Sequence, residues 1–414
     1  MSILYFDEKV KVKRLNMVKW SPMEHMPVVI VGGGFAGVFT AKYLLSRGIS
    51  VVLISETNHF TFIPLLHEVA TGALISHDVT FEYKQFFRSK LFRFIRGRVT
   101  SIDREHKQIL IGDKKLAYDF LIIATGSITH FFSMKGVEHA FVLKNMDDAI
   151  ALKRAILTKA QDVDRHVCVS VVGGGPTGLE LIFDIDKMLR SLKKKDPETN
   201  YDLRLIHATD IFCRGEVDAV QQYIVHAFQK AGIEVLCSVT ALGVTPSEVQ
   251  TTIGSFHSDV TVMCTGVKPN TDVFKETLKL DERGHIPVYN TLQSVEDPSV
   301  FALGDVISIN NEPVPKLAQT TVREASILAE NISRLILSSK AQLESYQPKI
   351  VGMLFSLGYG DGVGTIGPVM VKGILAWYLW RTIYLFKIPG LNNKLRVAFS
   401  WTMDLFQGRN LTEF

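Results

Sequence analysis

Twice in this chain a short, valine-rich run passes directly into three consecutive glycines and then into a helical stretch. The first occurrence is Val28 to Val31, then Gly32-Gly33-Gly34-Phe35-Ala36-Gly37 and a helical pattern to about Leu45. The second is Val167 to Val172, then Gly173-Gly174-Gly175-Pro176-Thr177-Gly178 and a helix through about Leu192. An apolar run without alternation suits a parallel strand covered on both faces. The glycines that follow have separate mechanical roles. The first permits a tight turn, the second lets a pyrophosphate approach backbone N–H groups, and the third lets helix pack closely on strand. In each unit a second strand comes next. Val51 to Ile54 leads to Glu56, nineteen residues after Gly37 and placed to accept hydrogen bonds from an adenosine ribose. In the second unit Leu203 to Ile206 leads to His207.

Two further strands, Phe120 to Ala124 and Thr261 to Cys264, end in Thr125-Gly126 and Thr265-Gly266. Such small-residue ends let backbone approach a bound nucleotide with no Cβ in the way. A last buried strand, Val300 to Leu303, ends in Gly304-Asp305, and a helix from about Lys316 to Ile336 follows. A chain of 414 residues has room for two or three domains. The spacing predicts an α/β fold with two Rossmann-like dinucleotide-binding domains.

Composition narrows the functional classes. With 47% hydrophobic and 21% charged residues the chain is too apolar to be disordered, yet it has no unbroken apolar run long enough to span a bilayer. The excess of 46 Lys and Arg over 42 Asp and Glu lies entirely from Lys372 onward, and residues 1–371 are balanced. That basic segment also carries Trp377, Trp380 and Trp401, which suggests a membrane surface rather than nucleic acid. No other basic block argues for DNA or RNA. Cys168, Cys213, Cys237 and Cys264 stand too far apart for a zinc site or a disulfide framework, so no metal is expected and a reducing setting fits. The first 26 residues, with Lys9, Lys11, Lys13, Arg14 and Lys19, lack the apolar core of a signal peptide and read as an extension.

Residues 373–388 are apolar apart from Arg381, Thr382 and Lys387. A helix of that length reaches about 24 Å, short of the roughly 30 Å hydrocarbon core, so it should not span. After Pro389-Gly390, a second helix from about Lys394 to Gln407 places Arg396, Ser400, Asp404 and Gln407 on one face. Leu395, Ala398, Phe399, Leu405 and Phe406 lie largely opposite. Trp and Tyr at headgroup level and interspersed Lys and Arg favour a monotopic anchor on a lipid bilayer surface. Burial on the protein itself, or at a homodimer interface, is the alternative that periodicity leaves open.

With two such units, a Thr-Gly strand end after each and a late Gly-Asp, the chain resembles the two-dinucleotide-domain flavoprotein reductases. Within that group it is most similar to the type II NADH:quinone oxidoreductases, from about Pro27 to the C-terminus. The residues that carry the likeness are VVIVGGGFAG, HFTFIPLLHEVATG (His59 to Gly72), VVGGGPTGLEL (Val171 to Leu181), FALGDV (Phe301 to Val306), LAQ (Leu317 to Gln319) and the tail from Gly373 to Leu395. The resemblance implies FAD in the first unit and NADH in the second. It implies that Gly32, Gly34, Gly37 and Glu56 hold the FAD pyrophosphate and ribose, that Thr125, Gly126 and Gly304 lie along its course, and that Asp305 binds the ribityl chain. Gly173, Gly175, Gly178, His207, Thr265 and Gly266 would serve the nicotinamide nucleotide. Glu180 matches a glutamate near nicotinamide and flavin, Gln319 a quinone contact, and Lys372 a lysine close to the quinone tunnel. The helix near Lys316 would point its positive end at the flavin.

Two departures bear on specificity. His207 stands where an acidic residue usually meets the NADH ribose, so NADPH is not excluded; Asp210 could substitute, while Arg204 and Arg214 would suit a 2′-phosphate. After Gln319, Arg323-Glu324 stand where the family tends to show glutamines. His59 and His67 read as structural histidines.

The resemblance thus implies a peripheral respiratory enzyme on the cytoplasmic face of the cell membrane that passes two electrons from NADH to a membrane quinone. The expected division is an extension over 1–26, an FAD domain over 27–145 and 283–345, a nucleotide domain over 146–282, and a C-terminal helical membrane-association domain over 346–414. The rivals are a sulfide:quinone oxidoreductase, which would need cysteines beside the flavin, and a non-catalytic NADH-sensing flavoprotein. No cysteine follows Cys264.

Overall fold

The computed structural model describes residues 27–162, 166–213, 215–310, 312–409 and 411. The extension over 1–26 and Arg214 lie outside the described residues. The chain enters through β1 (Val28–Val31), α1 (Phe35–Ser46), β2 (Val51–Ser55), the short helix α2 (Leu66–Ala70), β3 (Phe92–Arg96) and β4 (Leu121–Ile123), and leaves along β5 (Ser127–Thr129). After α3 (Met146–Ala160) it runs through β6 (His166–Val172), α4 (Pro176–Lys195), β7 (Asn200–His207), α5 (Asp218–Ala231), β8 (Glu234–Cys237) and β9 (Val260–Met263), and returns along β10 (Val267–Pro269). Next come β11 (Val300–Ala302), α6 (Ala318–Leu337), a meander of β12 (Gly352–Ser356), β13 (Gly362–Ile366) and β14 (Val369–Lys372), and the final helices α7 (Gly373–Lys387) and α8 (Leu391–Gln407).

The first sheet has the order β11-β4-β1-β2-β3 and is parallel throughout. The second, β8-β7-β6-β9, is parallel too. In both, the strand that enters the glycine turn sits between the next strand of its unit and one added on the other side, so each turn lies at the switch point where doubly wound sheets bind ligands. All four residues of β1 are buried, as the unalternated Val28-Val29-Ile30-Val31 run requires.

The two units are tied where the chain crosses between them. β5 and β10 pair antiparallel, Ser127 with Pro269 and Thr129 with Val267. The Thr-Gly ends brace this ladder: Thr125 Oγ1 donates to Asn270 O at 2.7 Å and Thr265 Oγ1 to His130 O at 2.7 Å.

α6 packs along α1 and fixes the segment that leads to the C-terminal meander. Its Asn331 is fully buried. The Asn331 Nδ2 donates to Thr291 O and Glu344 O at 3.0 and 2.9 Å, and its Oδ1 accepts from Glu344 N at 2.7 Å. α6 begins at Ala318, two residues later than the sequence pattern predicts, and α8 begins at Leu391, three residues earlier than expected. The second difference has a local cause. Gly390 takes φ +78, so the turn is complete within one residue of Pro389 and the helix starts at once.

Asn331→Ala would remove the side-chain partner of three partly buried backbone groups. At about 0.5–1.5 kcal/mol for each hydrogen bond lost, a loss of roughly 3 kcal/mol is expected. Denaturant unfolding of the variant against wild type reads it, and a change below about 1 kcal/mol would contradict this account.

Candidate functional site

The two glycine turns are near copies in geometry. Gly32 takes φ +113 and Gly173 φ +114, and a Cβ on either would lie 2.2 or 2.3 Å from the carbonyl oxygen of the neighbouring strand's end, Ala124 or Cys264. A Cβ on Gly37 or Gly178 would lie 1.9 Å from the carbonyl oxygen of Gly32 or Gly173. Gly34 and Gly175 differ: a Cβ on either meets nothing within 4 Å. The outer glycines are therefore glycine because the chain closes on them, whereas the inner ones face open space at a helix N-terminus. That is the cradle a pyrophosphate needs, twice over.

Each triplet is braced from below by one aromatic side chain. Tyr83 Oη donates to Gly33 O at 2.8 Å. In the second unit Gly174 N–H donates to His207 Nδ1 at 3.1 Å, while His207 Nε2 bonds Ile211 O at 2.9 Å. With one nitrogen accepting and the other donating, His207 is the neutral tautomer, and its ring stacks on Phe212 with centroids 5.6 Å apart. Both polar atoms of His207 are thus spent on the loop itself. Of the charged residues near it, Arg204 pairs with Glu234 at 2.6 Å and Asp210 is exposed.

Glu56 is exposed at the end of β2, and its Oε1 accepts from Arg98 Nε at 3.0 Å. Gly126 and Gly266 take φ +67 and +114 with open space where a Cβ would stand. Asp305 Oδ2 accepts from Ser127 Oγ at 2.6 Å, and Lys144 Nζ donates to the same Ser127 oxygen at 3.1 Å. Gly304, at φ +79, sits against Ala36 of α1 and Thr321 of α6, so the first cradle, Asp305 and the start of α6 converge. Among the described residues no side chain caps α6, which leaves N–H groups of its first turn available to a negative charge. Beneath this junction Glu324 is fully buried, its Oε2 accepting from Gly304 N at 2.7 Å. Arg323 points the other way and bonds Lys349 O at 2.5 Å.

Glu180 and Gln319 meet opposite ends of one strand. Gln319 Nε2 donates to Gly352 O at 3.2 Å, and Ser356 N donates to Glu180 Oε1 at 3.2 Å. These anchor points are four residues, about 13 Å of strand, apart along β12. Lys372 does not join them. It is exposed at the start of α7, with its Nζ 5.7 Å from the centre of the Tyr223 ring on α5.

The surroundings of Glu180 are the part of the site that sequence reasoning missed. Trp380 Nε1 donates to Glu180 Oε1 at 2.7 Å. His67 Nε2 lies 3.5 Å from Glu180 Oε2, and His67 Nδ1 is 2.7 Å from Asp184 Oδ2. The buried Arg409 pairs with Asp184 and lies 3.6 Å from Asp404. Asp404 also takes Lys187 at 2.5 Å and Arg381 at 3.8 Å. Trp401 Nε1 donates to Glu68 Oε2 at 2.5 Å. Arg381 is held between the rings of Trp377 and Trp401, 4.2 and 4.8 Å from their centres. The one available signal was the pattern of charges interrupting an apolar tail, Arg381 and Asp404, and it pointed inward.

This corrects the expected placement of the tail aromatics. Trp380 and Trp401 are buried and donate to glutamates of the body; they are not a headgroup belt. In α8 the face bearing Ser400 and Asp404 turns to the protein, with Ser400 Oγ bonded to Asp78 Oδ2 at 2.9 Å. Leu395, Phe399 and Phe406 are 61, 66 and 84% exposed, and Ile374, Leu375 and Tyr378 of α7 are exposed as well.

Burial and paired charges compete in the electrostatics, and the winner differs from group to group. Burial pushes the Glu180 carboxyl up to about 7, against the positive charge of His67 and the bonds from Ser356 and Trp380. Asp184, held by Arg409 and His67, stays well below the usual carboxylate range. The His67 imidazole is raised to about 9: burial opposes its charge, and the Asp184 bond with the Glu180 and Asp184 charges outweighs burial. Burial also raises the thiols of Cys264, to about 12, and Cys213. Away from the cradles, His166, Cys168, Asp202, His257 and Asp259 gather in two overlapping triplets whose ligand atoms lie within 4.8 Å. His166 already pairs with Asp202 at 2.9 Å, and Asp259 accepts from the Cys168 backbone at 2.9 Å with Lys159 at 3.8 Å, so both acids have partners within the protein.

Comparison with known proteins agrees with this geometry. Residues 26–325 match the pyridine nucleotide-disulphide oxidoreductase family, and residues 352–410 match the NDH2 C-terminal domain. A type II NADH:quinone oxidoreductase of Mycobacterium tuberculosis is 28% identical over 94% of this chain and 89% of its own. The solved structure of NDH2 from Plasmodium falciparum in complex with NADH superposes with a TM-score of 0.87 at 20% identity, over 94% of this chain and all of that one. A sulfide:quinone oxidoreductase from Aquifex aeolicus superposes with 0.74 at 19% identity, over 93% of this chain and 96% of its own.

Glu324 gives a test of the buried junction. Burial raises its carboxyl from 4.5 to about 7 against the Gly304 bond. The folded state then holds the proton more tightly than the unfolded chain. The associated stability is complete below about pH 4.5 and is lost as pH rises through about 7, on the order of 3 kcal/mol in all. Thermal unfolding of wild type between about pH 5 and 8 should show Tm falling, and Glu324→Gln should flatten that fall; equal slopes would contradict the assignment.

Proposed function

Since the chain belongs to the pyridine nucleotide-disulphide oxidoreductase family and carries an NDH2 C-terminal domain, we propose that it is a FAD-dependent NADH:quinone oxidoreductase that passes two electrons from NADH to a membrane quinone without pumping protons. The observation that carries this reading is the pair of matching open cradles joined to a C-terminal domain whose apolar helix faces point outward. The M. tuberculosis relative, matched over nearly the whole chain, bears the name of that reaction.

In this reading residues 27–145 and 283–345 hold FAD, with Gly32, Gly34 and Gly37 at the pyrophosphate, Glu56 at the ribose, and Thr125, Gly126, Gly304 and Asp305 along the rest. Residues 146–282 hold NADH, with Gly173, Gly175 and Gly178 at its pyrophosphate and Thr265-Gly266 beside it. His207 serves by holding Gly174 in place, so discrimination between NADH and NADPH falls to other residues. Bound FAD supplies the two-electron carrier between nicotinamide and quinone. Glu180 presents a carboxyl that titrates near neutrality, as a group exchanging a proton at physiological pH must. Gln319 is a quinone contact, held by its bond to Gly352. Lys372 lies at the exposed start of α7, at the edge of the membrane-facing surface. The sulfide rival lacks support from the thiols: Cys213 and Cys264 are kept protonated by burial.

Residues 346–414 attach the enzyme to the cytoplasmic face of the cell membrane through α7 and α8. None of the described helices is long and apolar enough to cross a membrane. Apolar side chains entering the bilayer at roughly 1.5–3 kcal/mol each suffice to hold it there.

Two outcomes are expected. In an anaerobic titration of the purified protein, NADH should bleach the flavin absorbance and a short-chain quinone should restore it within seconds; a flavin that NADH reduces but quinone leaves reduced would identify a sensor instead. Replacing Leu395, Phe399 and Phe406 together by Ser should move the protein from the membrane to the soluble fraction with its FAD retained, and undiminished flotation with liposomes would exclude α8 as the anchor.

A further inference from the structure

His67 occupies an unusual place for a residue outside the cradles. It lies on the short α2, 3% exposed, with one nitrogen on Asp184 Oδ2 at 2.7 Å and the other 3.5 Å from Glu180 Oε2. Asp184 and Glu180 are one helical turn apart on α4, so a single imidazole spans both carboxylates. Its ring packs 5.9 Å from that of Trp380, the residue that holds the other oxygen of Glu180. Among the described residues His67 Nε2 has no hydrogen-bond partner.

We propose that His67 is the proton partner of Glu180: an imidazolium, oriented by Asp184, that passes its Nε2 proton to the glutamate across the 3.5 Å gap. The inference rests on the quinone-reductase reading for its purpose. In that reaction NADH, one proton from water and quinone yield NAD+ and quinol. Two electrons leave as hydride, and the quinone takes up two electrons and two protons, one of which is not carried by the hydride. In the step assigned to this pair the Nε2–H bond breaks and an Oε2–H bond forms; the imidazolium becomes neutral and the carboxylate becomes an acid. Glu180 then releases that proton toward the quinone, and solvent recharges the imidazole between turnovers. No electron passes through either residue, so His67 is a positioning and proton-holding residue.

The surrounding charges are arranged for this role. From α4, Asp184 favours the imidazolium and Lys187 pairs with Asp404. From α2 itself, Glu68 faces the same cluster. From α7, Arg381 lies against Glu68, and from the C-terminal segment Arg409 holds Asp184 ionised. Among the described residues, the remaining titratable neighbours of Glu180 are the Tyr384 phenol and the Cys213 thiol, both pushed up by burial and so neutral throughout the working range. His67 is thus the group whose charge restrains the rise that burial imposes on Glu180.

The test uses the FAD-loaded protein with 13C-labelled glutamate and histidine, and follows the carboxyl and ring resonances by NMR against pH in wild type, His67→Gln and Glu180→Gln. Loss of the His67 charge should move the Glu180 midpoint up by about one pH unit or more, the effect of an opposite charge within 4–6 Å. The alkaline limb of the kcat profile should move with it. Reciprocally, Glu180→Gln should lower the His67 midpoint. A Glu180 midpoint unmoved in His67→Gln would overturn the proposal, as would a His67 midpoint unmoved in Glu180→Gln, which decides alone if the first variant does not retain FAD. Wild-type protein reduced by NADH but not reoxidised by quinone would sink the functional reading instead, while the midpoints, read on the resting protein, still decide the pairing.

Discussion

The carbonyl oxygens of Gly32 and Gly173 each stand 1.9 Å from where a Cβ on Gly37 or Gly178 would be. That contact sets how closely a helix start can lie against the strand before it, and everything else at the two cradles follows. With the helix pressed in, its first N–H groups come to the open side of the turn, where Gly34 and Gly175 leave room. With the turn at the switch point of a parallel sheet, the neighbouring strand ends, Thr125-Gly126 and Thr265-Gly266, border the same opening. Their threonine hydroxyls then brace the crossing ladder between the units, so the same residues that frame the cradles also join them.

The C-terminal helices reverse the arrangement expected of a helix pair on a soluble surface. α8 turns Ser400 and Asp404 toward the protein and Leu395, Phe399 and Phe406 away from it. Outward apolar residues on two successive helices make a surface larger than isolated exposed side chains, which is the property that marks a site of attachment. The inward polar face makes the arrangement possible, because its buried Asp404 meets opposite charges on α4, α7 and the final segment.

Much of the fold was legible from residues alone, because its signals are local. The Val28-Val29-Ile30-Val31 run, the triplets and the Thr-Gly ends each report a backbone demand that only certain residues meet, and the strands and helices lie within a few residues of where these signals put them. The site was less legible, because it depends on contacts between distant segments. His207 looked like a substitute for a ribose-binding acid, yet its two nitrogens serve Gly174 and Ile211. Glu324 looked like a departure from an expected glutamine, and it holds Gly304 from beneath. Trp380 and Trp401 looked like interfacial aromatics, and their N–H groups meet Glu180 and Glu68, two to three hundred residues away in sequence or more. Periodicity marks which residues share a face; it does not say whether that face turns inward.

Four acids and four bases, Glu68, Glu180, Asp184 and Asp404 with His67, Lys187, Arg381 and Arg409, lie together under the C-terminal helices. Burying them does not make the junction more stable than an apolar one would be, since desolvation of paired ions roughly cancels their attraction. It makes the junction particular. An apolar interface tolerates sliding by a fraction of a helical turn, whereas misplacing one of these groups would leave an uncompensated buried charge, at about 3–5 kcal/mol. Docking of α7 and α8 is therefore specified by charge at the very place where Trp380 meets Glu180. The position of the outward apolar face and the environment of the buried glutamate are thus set by the same contacts, and a shift in one cannot occur without a change in the other.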